Sequence, residues 1–205
     1  MRRRPAPGFT LVELVLALSI LAIMMTILFG GLRLGLQAWQ RVEARAAVLQ
    51  HARSMTQILE EALGGICGYA GLAERGTAIP VIFFKGESER VSFVTVSPPI
   101  SPPAAIPFVA VTLSIDAGSA AGLAIREKAL PNFDPFERVT PSVVDPTITA
   151  IRFRYLRDAG SWEDSWDAVE ESALPRAVEV TLTAMIDGRA RESTPITVPI
   201  RVNAP

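Results

Sequence analysis

The chain has 205 residues and a formal net charge of −1, which is enough for one domain of ordinary size plus an appendage. The near-neutral charge argues against nucleic acid as a partner. The single cysteine, Cys67, excludes an intrachain disulfide, and the single histidine, His51, excludes a mechanism that needs two. No Cys/His cluster has the spacing of a metal site, so we predict no metal and no cofactor.

The N-terminal segment combines a basic leader with a long apolar run. Arginines at positions 2–4 precede Gly8, and residues 14–32 contain no charge. A run of this length spans the hydrocarbon core of a bilayer as a helix. Arg33 closes the run, and the positive-inside rule keeps the leader cytoplasmic and sends the rest of the chain across the membrane. Glu13 lies near the start of this run, and because an unpaired carboxylate in lipid is costly, it predicts a function and a partner.

Two less specific interpretations compete with this one. A secretory signal peptide shares the basic front and the apolar middle, but here the run is too long, it contains Glu13, and no A-x-A-like site follows it. A plain signal anchor fits the same residues, and Glu13 would then only snorkel toward the cytoplasmic headgroups.

The segment Gly8-Phe9-Thr10-Leu11-Val12-Glu13 resembles the class III signal of type IV pilins and type II secretion pseudopilins. This resemblance implies that a membrane-bound prepilin peptidase cleaves between Gly8 and Phe9, and that Phe9 is then N-methylated. It also implies that Glu13 is an assembly carboxylate, which neutralises the N-terminus of an adjacent subunit. The physical chemistry is consistent, because Glu13 lies about one helical turn from the new amine and a paired charge is tolerable in lipid.

Beyond residue 33, apolar residues recur at three- and four-residue steps, and no proline interrupts residues 9–79. This predicts one long helix that ends near Gly64-Gly65, with a hinge or a close helix contact at Gly30-Gly31. At 1.5 Å per residue the helix would be about 80 Å long, so its outer half must pack on a domain of the same chain. His51 lies on this half, and we expect a surface or interface residue rather than a catalytic one.

The predicted organisation has four parts. Residues 1–8 form the leader removed by the peptidase, and residues 9–32 form the transmembrane helix. Residues 33–64 form the amphipathic periplasmic half of that helix, and residues 65–205 form a β-rich periplasmic domain.

Short runs rich in β-branched and aromatic residues alternate with proline- and glycine-rich segments after residue 64. Their alternation of apolar and polar residues predicts antiparallel sheets with one wet face, so the expected fold class is α+β with the long helix packed on the sheets. Two irregular stretches are expected, at 97–103 and 130–146. The predicted strands are Ala78–Phe84, Arg90–Val96, Phe108–Ile115, Leu123–Leu130, Ile148–Leu156, Ala177–Ala184 and Thr194–Val202.

An acidic segment with two tryptophans, Trp162 and Trp166, follows one of these strands. Clustered carboxylates are ligands for a hard cation such as calcium, although the EF-hand spacing is absent. The favoured interpretation is a solvated loop anchored by one or both tryptophans. A partner-binding surface at Trp162 and Trp166 is the third, since tryptophan is frequent at interface hot spots.

The tryptophan segment followed by Leu174-Pro175-Arg176-Ala177-Val178 resembles the J-type minor pseudopilin of the type II secretion system. The resemblance implies a structural subunit of the inner membrane rather than an enzyme. It implies I- and K-type pseudopilins as partners at the filament tip, where the complex primes assembly and perhaps contacts exported proteins. A minor pilin of a type IV pilus is the first alternative. A membrane-anchored binding module or hydrolase is the second, and no Gly-x-Ser-x-Gly nucleophile motif supports it.

Overall fold

The computed structural model describes residues 10–71, 81–101, 107–118, 121–132, 134–186 and 188–201. The chain divides into two compact units, Met1–Ala47 and Val48–Pro205. One helix, α1 (Leu11–Gly64), begins in the first unit and ends in the second. This confirms a single uninterrupted helix that ends at the glycine pair.

The second unit is built mainly from strands, so the α+β fold class is confirmed. A one-turn helix, α2 (Ala168–Glu171), lies between the tenth and eleventh strands. The strands are β1 Ala70–Gly71, β2 Val81–Ile82, β3 Phe84–Gly86, β4 Arg90–Thr95, β5 Val109–Asp116, β6 Gly122–Ala129, β7 Val143–Asp145, β8 Ile148–Leu156, β9 Trp162–Glu163, β10 Trp166–Asp167, β11 Ala177–Ile186, β12 Arg189–Glu192 and β13 Ile196–Pro199.

Two antiparallel sheets carry most of these strands. The first has the order β10-β3-β4-β5-β6-β7, and its central register pairs Phe93 with Val111. The second has the order β12-β11-β8-β9, with β13 paired to the same side of β11 as β12. Strands β1 and β2 form a separate pair. Three residues connect β3 to β4 and five connect β5 to β6, whereas thirteen residues lie between β4 and β5 and thirteen between β6 and β7.

The main core lies between the sheets and the last turns of α1. Met55, Leu59 and Leu63 recur at four-residue steps on α1, and all three are buried. Phe153 and Tyr155 of β8 are fully buried in the same cluster, whereas Arg152 is exposed and Arg154 is half-buried on the opposite face. The predicted alternation along β8 is therefore confirmed. On β11, Val178, Val180 and Leu182 are buried in the core as predicted, but Thr181 on the opposite face is also buried.

The first sheet departs from the prediction of one wet face. From Val91 to Thr95 every residue of β4 is buried, so both faces of this strand are covered. A second apolar cluster lies on the face opposite the main core, and it contains Phe83, Val94, Ala110 and Leu130. Alternation indicates which residues share a face, but not whether a loop returns to cover that face.

The covering segment comes from the stretch at 130–146, where Leu130 and Phe136 pack on the second cluster. The prediction that this whole stretch is irregular is wrong, because it contains β7. The proline-rich segment is confirmed as irregular in its described part, residues 97–101. The Glu127 carboxylate fixes it by accepting the N–H groups of Ile100 at 2.8 Å and Ser101 at 3.0 Å.

The exposed edge of the second sheet carries a proline. The Ile200 N–H donates to the Arg176 carbonyl at 2.9 Å. Since N–H groups alternate along a strand, the N–H of Val198 also faces β11, and Pro199 occupies an outward position that has no N–H to donate.

Candidate assembly site

The N-terminal end of α1 carries the assembly carboxylate proposed from the sequence. The cleavage residues Gly8 and Phe9 lie outside the described residues. Thr10 caps the helix, and its Oγ1 accepts the N–H of Glu13 at 3.3 Å. Threonine at the cap with glutamate three residues later is the capping-box pattern, and a carboxylate in the first turn also complements the helix dipole. The local sequence therefore starts the helix at Leu11 and places Glu13 in its first turn.

The segment Leu11–Gln40 is long and apolar enough to span a membrane, with a mean hydropathy of 2.6 in its most apolar window. None of that window is buried within the structure. Its two hydroxyls are satisfied locally, because Ser19 donates to the Val15 carbonyl and Thr26 to the Ala22 carbonyl, each at 2.8 Å. Such back-bonding is what a polar side chain needs in an apolar surrounding.

Glu13 differs from these two hydroxyls. Within the parts of the chain that the structure describes, its carboxylate makes no hydrogen bond or ion pair. Any partner of this carboxylate therefore comes from outside the described residues or from another molecule.

The packed end of α1 is fixed by polar contacts as well as by its apolar face. Thr95 Oγ1 donates to the carbonyl of Ala62 at 2.8 Å, which satisfies one of the free carbonyls of the last turn. Gly65 follows where a side chain has no room, because a Cβ there would meet the Thr95 hydroxyl at 2.6 Å. The end of α1 and the end of β4 are thus in direct contact through the Thr95 side chain.

His51 is held by an aspartate 94 residues away in the sequence. Its Nε2 lies 2.7 Å from Oδ2 of Asp145, whose side chain is 5% exposed, whereas that of His51 is 48% exposed. Oδ1 of Asp145 accepts both the N–H and the hydroxyl of Thr147, at 2.9 and 2.6 Å. Burial raises the pKa of Asp145, but the hydrogen bonds from Thr147 and His51 outweigh it, so that this pKa lies below its ordinary value.

His51 is therefore an interface residue, and the interface is within the chain, between α1 and β7. Residue spacing could not reveal Asp145 as its partner. The Asp-Pro-Thr turn was the only local signal, and it marks Asp145 as a turn residue without indicating what else it binds.

The acidic segment forms a loop that is anchored by Trp166. This side chain is buried, and its Nε1 donates to the Ala173 carbonyl at 2.9 Å. The guanidinium of Arg157 lies 5.2 Å from the ring centroid and pairs with Glu163 and Glu171. Hydrogen bonds from Arg157 hold the pKa of Glu171 below its ordinary value. Two carboxylates of the loop are thus engaged by arginine.

Of the two tryptophans, Trp162 alone presents part of its ring at the surface. It is half-buried, and the Arg154 guanidinium lies over it at 5.7 Å. Across the described ranges, no group of three or more His, Cys, Asp or Glu residues is arranged to hold a metal ion. The loop is therefore an arginine-braced structure, and a partner surface at Trp162 and Trp166 stays a prediction.

The long exposed apolar helix, followed by packed antiparallel sheets, defines a pilin-like α+β protein. The family model of the type II secretion system protein J matches residues 30–193, and the model of the prokaryotic N-terminal methylation motif matches residues 3–29. The chain therefore belongs to the type II secretion system protein J family, a family of structural pseudopilins. A search of curated proteins found no match.

Proposed function

We propose that this protein is a minor pseudopilin that joins I- and K-type pseudopilins at the tip of the pseudopilus and primes its assembly for protein export across the outer membrane. The observation that carries the proposal is the carboxylate of Glu13, which has no partner among the described residues and lies on the exposed apolar segment Leu11–Gln40, in a chain of the protein J family. The family match also favours this role over that of a type IV pilus subunit. The role is structural rather than catalytic, and exported proteins are candidate contacts of the tip.

The proposed maturation supplies the missing partner of Glu13. Prepilin peptidase cleaves between Gly8 and Phe9, and methylation leaves Phe9 with a positively charged secondary amine. In the assembled filament this amine, on a neighbouring subunit, pairs with the Glu13 carboxylate. Two opposite charges in lipid stabilise each other, and each is costly alone. The pairing therefore selects subunits that are both cleaved and correctly staggered.

The proposed location follows from the arrangement of charges. Three arginines in the leader face the cytoplasm, the span at 9–32 crosses the inner membrane once, and the domain that follows residue 33 lies in the periplasm. The outer half of the helix, residues 33–64, would then link the span to the β-domain at 65–205.

Mass spectrometry of the mature N-terminus tests the maturation step. We expect the loss of residues 1–8 and the addition of one methyl group at Phe9 when the protein is expressed with prepilin peptidase. Expression without the peptidase is the control and should leave the leader in place. A mature chain that starts at any other residue would refute the proposed cleavage.

The assembly role of Glu13 is tested by co-purification with I- and K-type partners. Glu13→Ala should insert into the membrane as the wild type does, but recover about tenfold less partner, the change that a loss of ~1.4 kcal/mol of coupling produces. Ser19→Ala is the matched control, because it removes a polar atom from the same span without removing charge. Equal partner recovery by Glu13→Ala and the wild type would contradict the role.

A further inference from the structure

An apolar stripe on α1 continues beyond the arginine that closes the uncharged run. Leu32, Leu36 and Trp39 follow each other at four- and three-residue steps, so they share one face of the helix. They are 57%, 55% and 73% exposed. Among the described residues nothing packs on this stripe, and the indole N–H of Trp39 has no acceptor.

Each of the other two tryptophans of the chain has an arginine over its ring, whereas the described residues supply none for Trp39. Trp166 donates its N–H to a carbonyl and lies under Arg157, and Trp162 lies under Arg154. Tryptophan combines a large apolar ring with one polar N–H, and a buried or membrane-bound ring needs a partner for that group. The surroundings of Trp39 must supply both an apolar contact and an acceptor.

The position of Trp39 along the helix identifies such surroundings. It lies 28 residues after Leu11, which corresponds to about 42 Å along an α-helix. A bilayer is about 40–45 Å thick when its headgroup regions are included, and its hydrocarbon core is about 30 Å thick. The uncharged run at 14–32 is about 28 Å long and would fill the hydrocarbon, so Arg33 would mark its outer edge. Trp39 lies about 9 Å further along the helix, and helical side chains point back toward the N-terminus, so its ring would reach down into the headgroup layer, where tryptophan is enriched in membrane proteins.

We propose that Trp39 is an interfacial anchor that binds the lipid headgroup region of the outer face of the membrane and sets how deeply the helix is inserted before assembly. The ring packs against the upper acyl chains, and the N–H donates to phosphate or carbonyl oxygens of the lipid. This inference rests on the proposed membrane insertion and adds a residue that fixes its depth. Gln37 and Gln40, which flank Trp39, suit the same polar layer.

Tryptophan emission from the full chain, reconstituted as the only protein in lipid vesicles, tests the anchor. The vesicles contain phosphatidylethanolamine and phosphatidylglycerol, brominated either near the glycerol end or near the methyl end of the acyl chains. Bromine near the glycerol end should quench up to about one third of the emission, since one of three tryptophans contacts the bilayer. Bromine near the methyl end should quench much less.

Trp39→Phe should abolish this quenching, and Trp162→Phe, which removes an indole from the β-domain, should retain it. An alkaline carbonate wash of the same vesicles distinguishes a failure of the Trp39 anchor from a failure of membrane insertion. Protein that resists the wash but is not quenched would overturn the anchor and leave membrane insertion intact, as would emission from Trp39 that changes only when a partner pseudopilin is added. Stronger quenching from the methyl end would also overturn the anchor. Protein released by the wash would overturn both.

Discussion

The His51–Asp145 contact makes a quantitative prediction about how α1 is held on the first sheet. Replacing His51 by alanine removes the only side chain that contacts Oδ2 of Asp145 in the described structure, and Oδ1 keeps both hydrogen bonds from Thr147. The Asp145 carboxylate is almost fully buried and would lose one of its three hydrogen bonds. A loss of this kind destabilises the folded state, because a buried acceptor is left without part of its solvation.

The magnitude follows from the burial of the two partners. A hydrogen bond to a charged group contributes about 1.5–3 kcal/mol, and the half-exposed imidazole reduces this because water competes for it. We therefore expect His51→Ala to lower the free energy of unfolding by about 1–2 kcal/mol, which lowers the melting temperature by about 2–8 °C in a domain of this size. Near-ultraviolet circular dichroism of the full chain in detergent measures the transition.

The effect should depend on pH in a defined direction. Because the pKa of Asp145 is lower in the folded state, its contribution is complete above the unfolded value of about 3.9 and is lost as the pH falls through the folded value. The difference between wild type and His51→Ala should thus be full near pH 6 and shrink below about pH 4. Gln57→Ala, at an exposed pair on the same helix, is the control and should change stability little. A difference that persists unchanged in acid, or none at pH 6, would refute this account.

Two further substitutions, both in the first sheet, test the packing around it. Gly86→Ala should destabilise the domain by about 1–3 kcal/mol in chemical denaturation, because a Cβ there would overlap the buried ring of Tyr155. The Tyr155 hydroxyl donates to the Glu87 carbonyl, which fixes the ring in place. Wild-type stability of the variant would show that the ring can move aside. Trp166→Phe should cost about 1 kcal/mol through the lost hydrogen bond to Ala173. A larger loss accompanied by release of Arg157 would show that the ring also braces the salt bridges of the loop.

The elements that the sequence predicted best are those whose periodicity is long. Strand β8 was predicted with its observed bounds, because alternation over nine residues is unambiguous. The two-residue strands β9 and β10 were not predicted, since they exist only through pairing with β8 and β3. Tertiary context, rather than local propensity, creates such short strands.

The site shows the same division between local and long-range information. The apolar span was recognisable because its signal is contiguous in the sequence, and the assembly role of Glu13 within that signal stays a prediction. The partner of His51 was not, since Asp145 is brought beside it only by the fold of two sheets and a helix. Likewise, Val94 and Ala110 lie on the face of the first sheet that the sequence pattern predicts to be wet. They are buried because the segment that contains Leu130 returns to cover that face.

Pro199 has a consequence for how subunits pack in the proposed filament. Subunits packed in a filament bring the edges of their sheets close together, and an exposed edge strand can pair with a strand of a neighbouring copy. Here Pro199 removes an outward donor at the end of β13, and Arg189, Arg191 and Glu192 of β12 add charge along the same edge of the sheet. In the proposed filament these features would disfavour edge-to-edge pairing between neighbouring copies, so that its cohesion would rest on the helices.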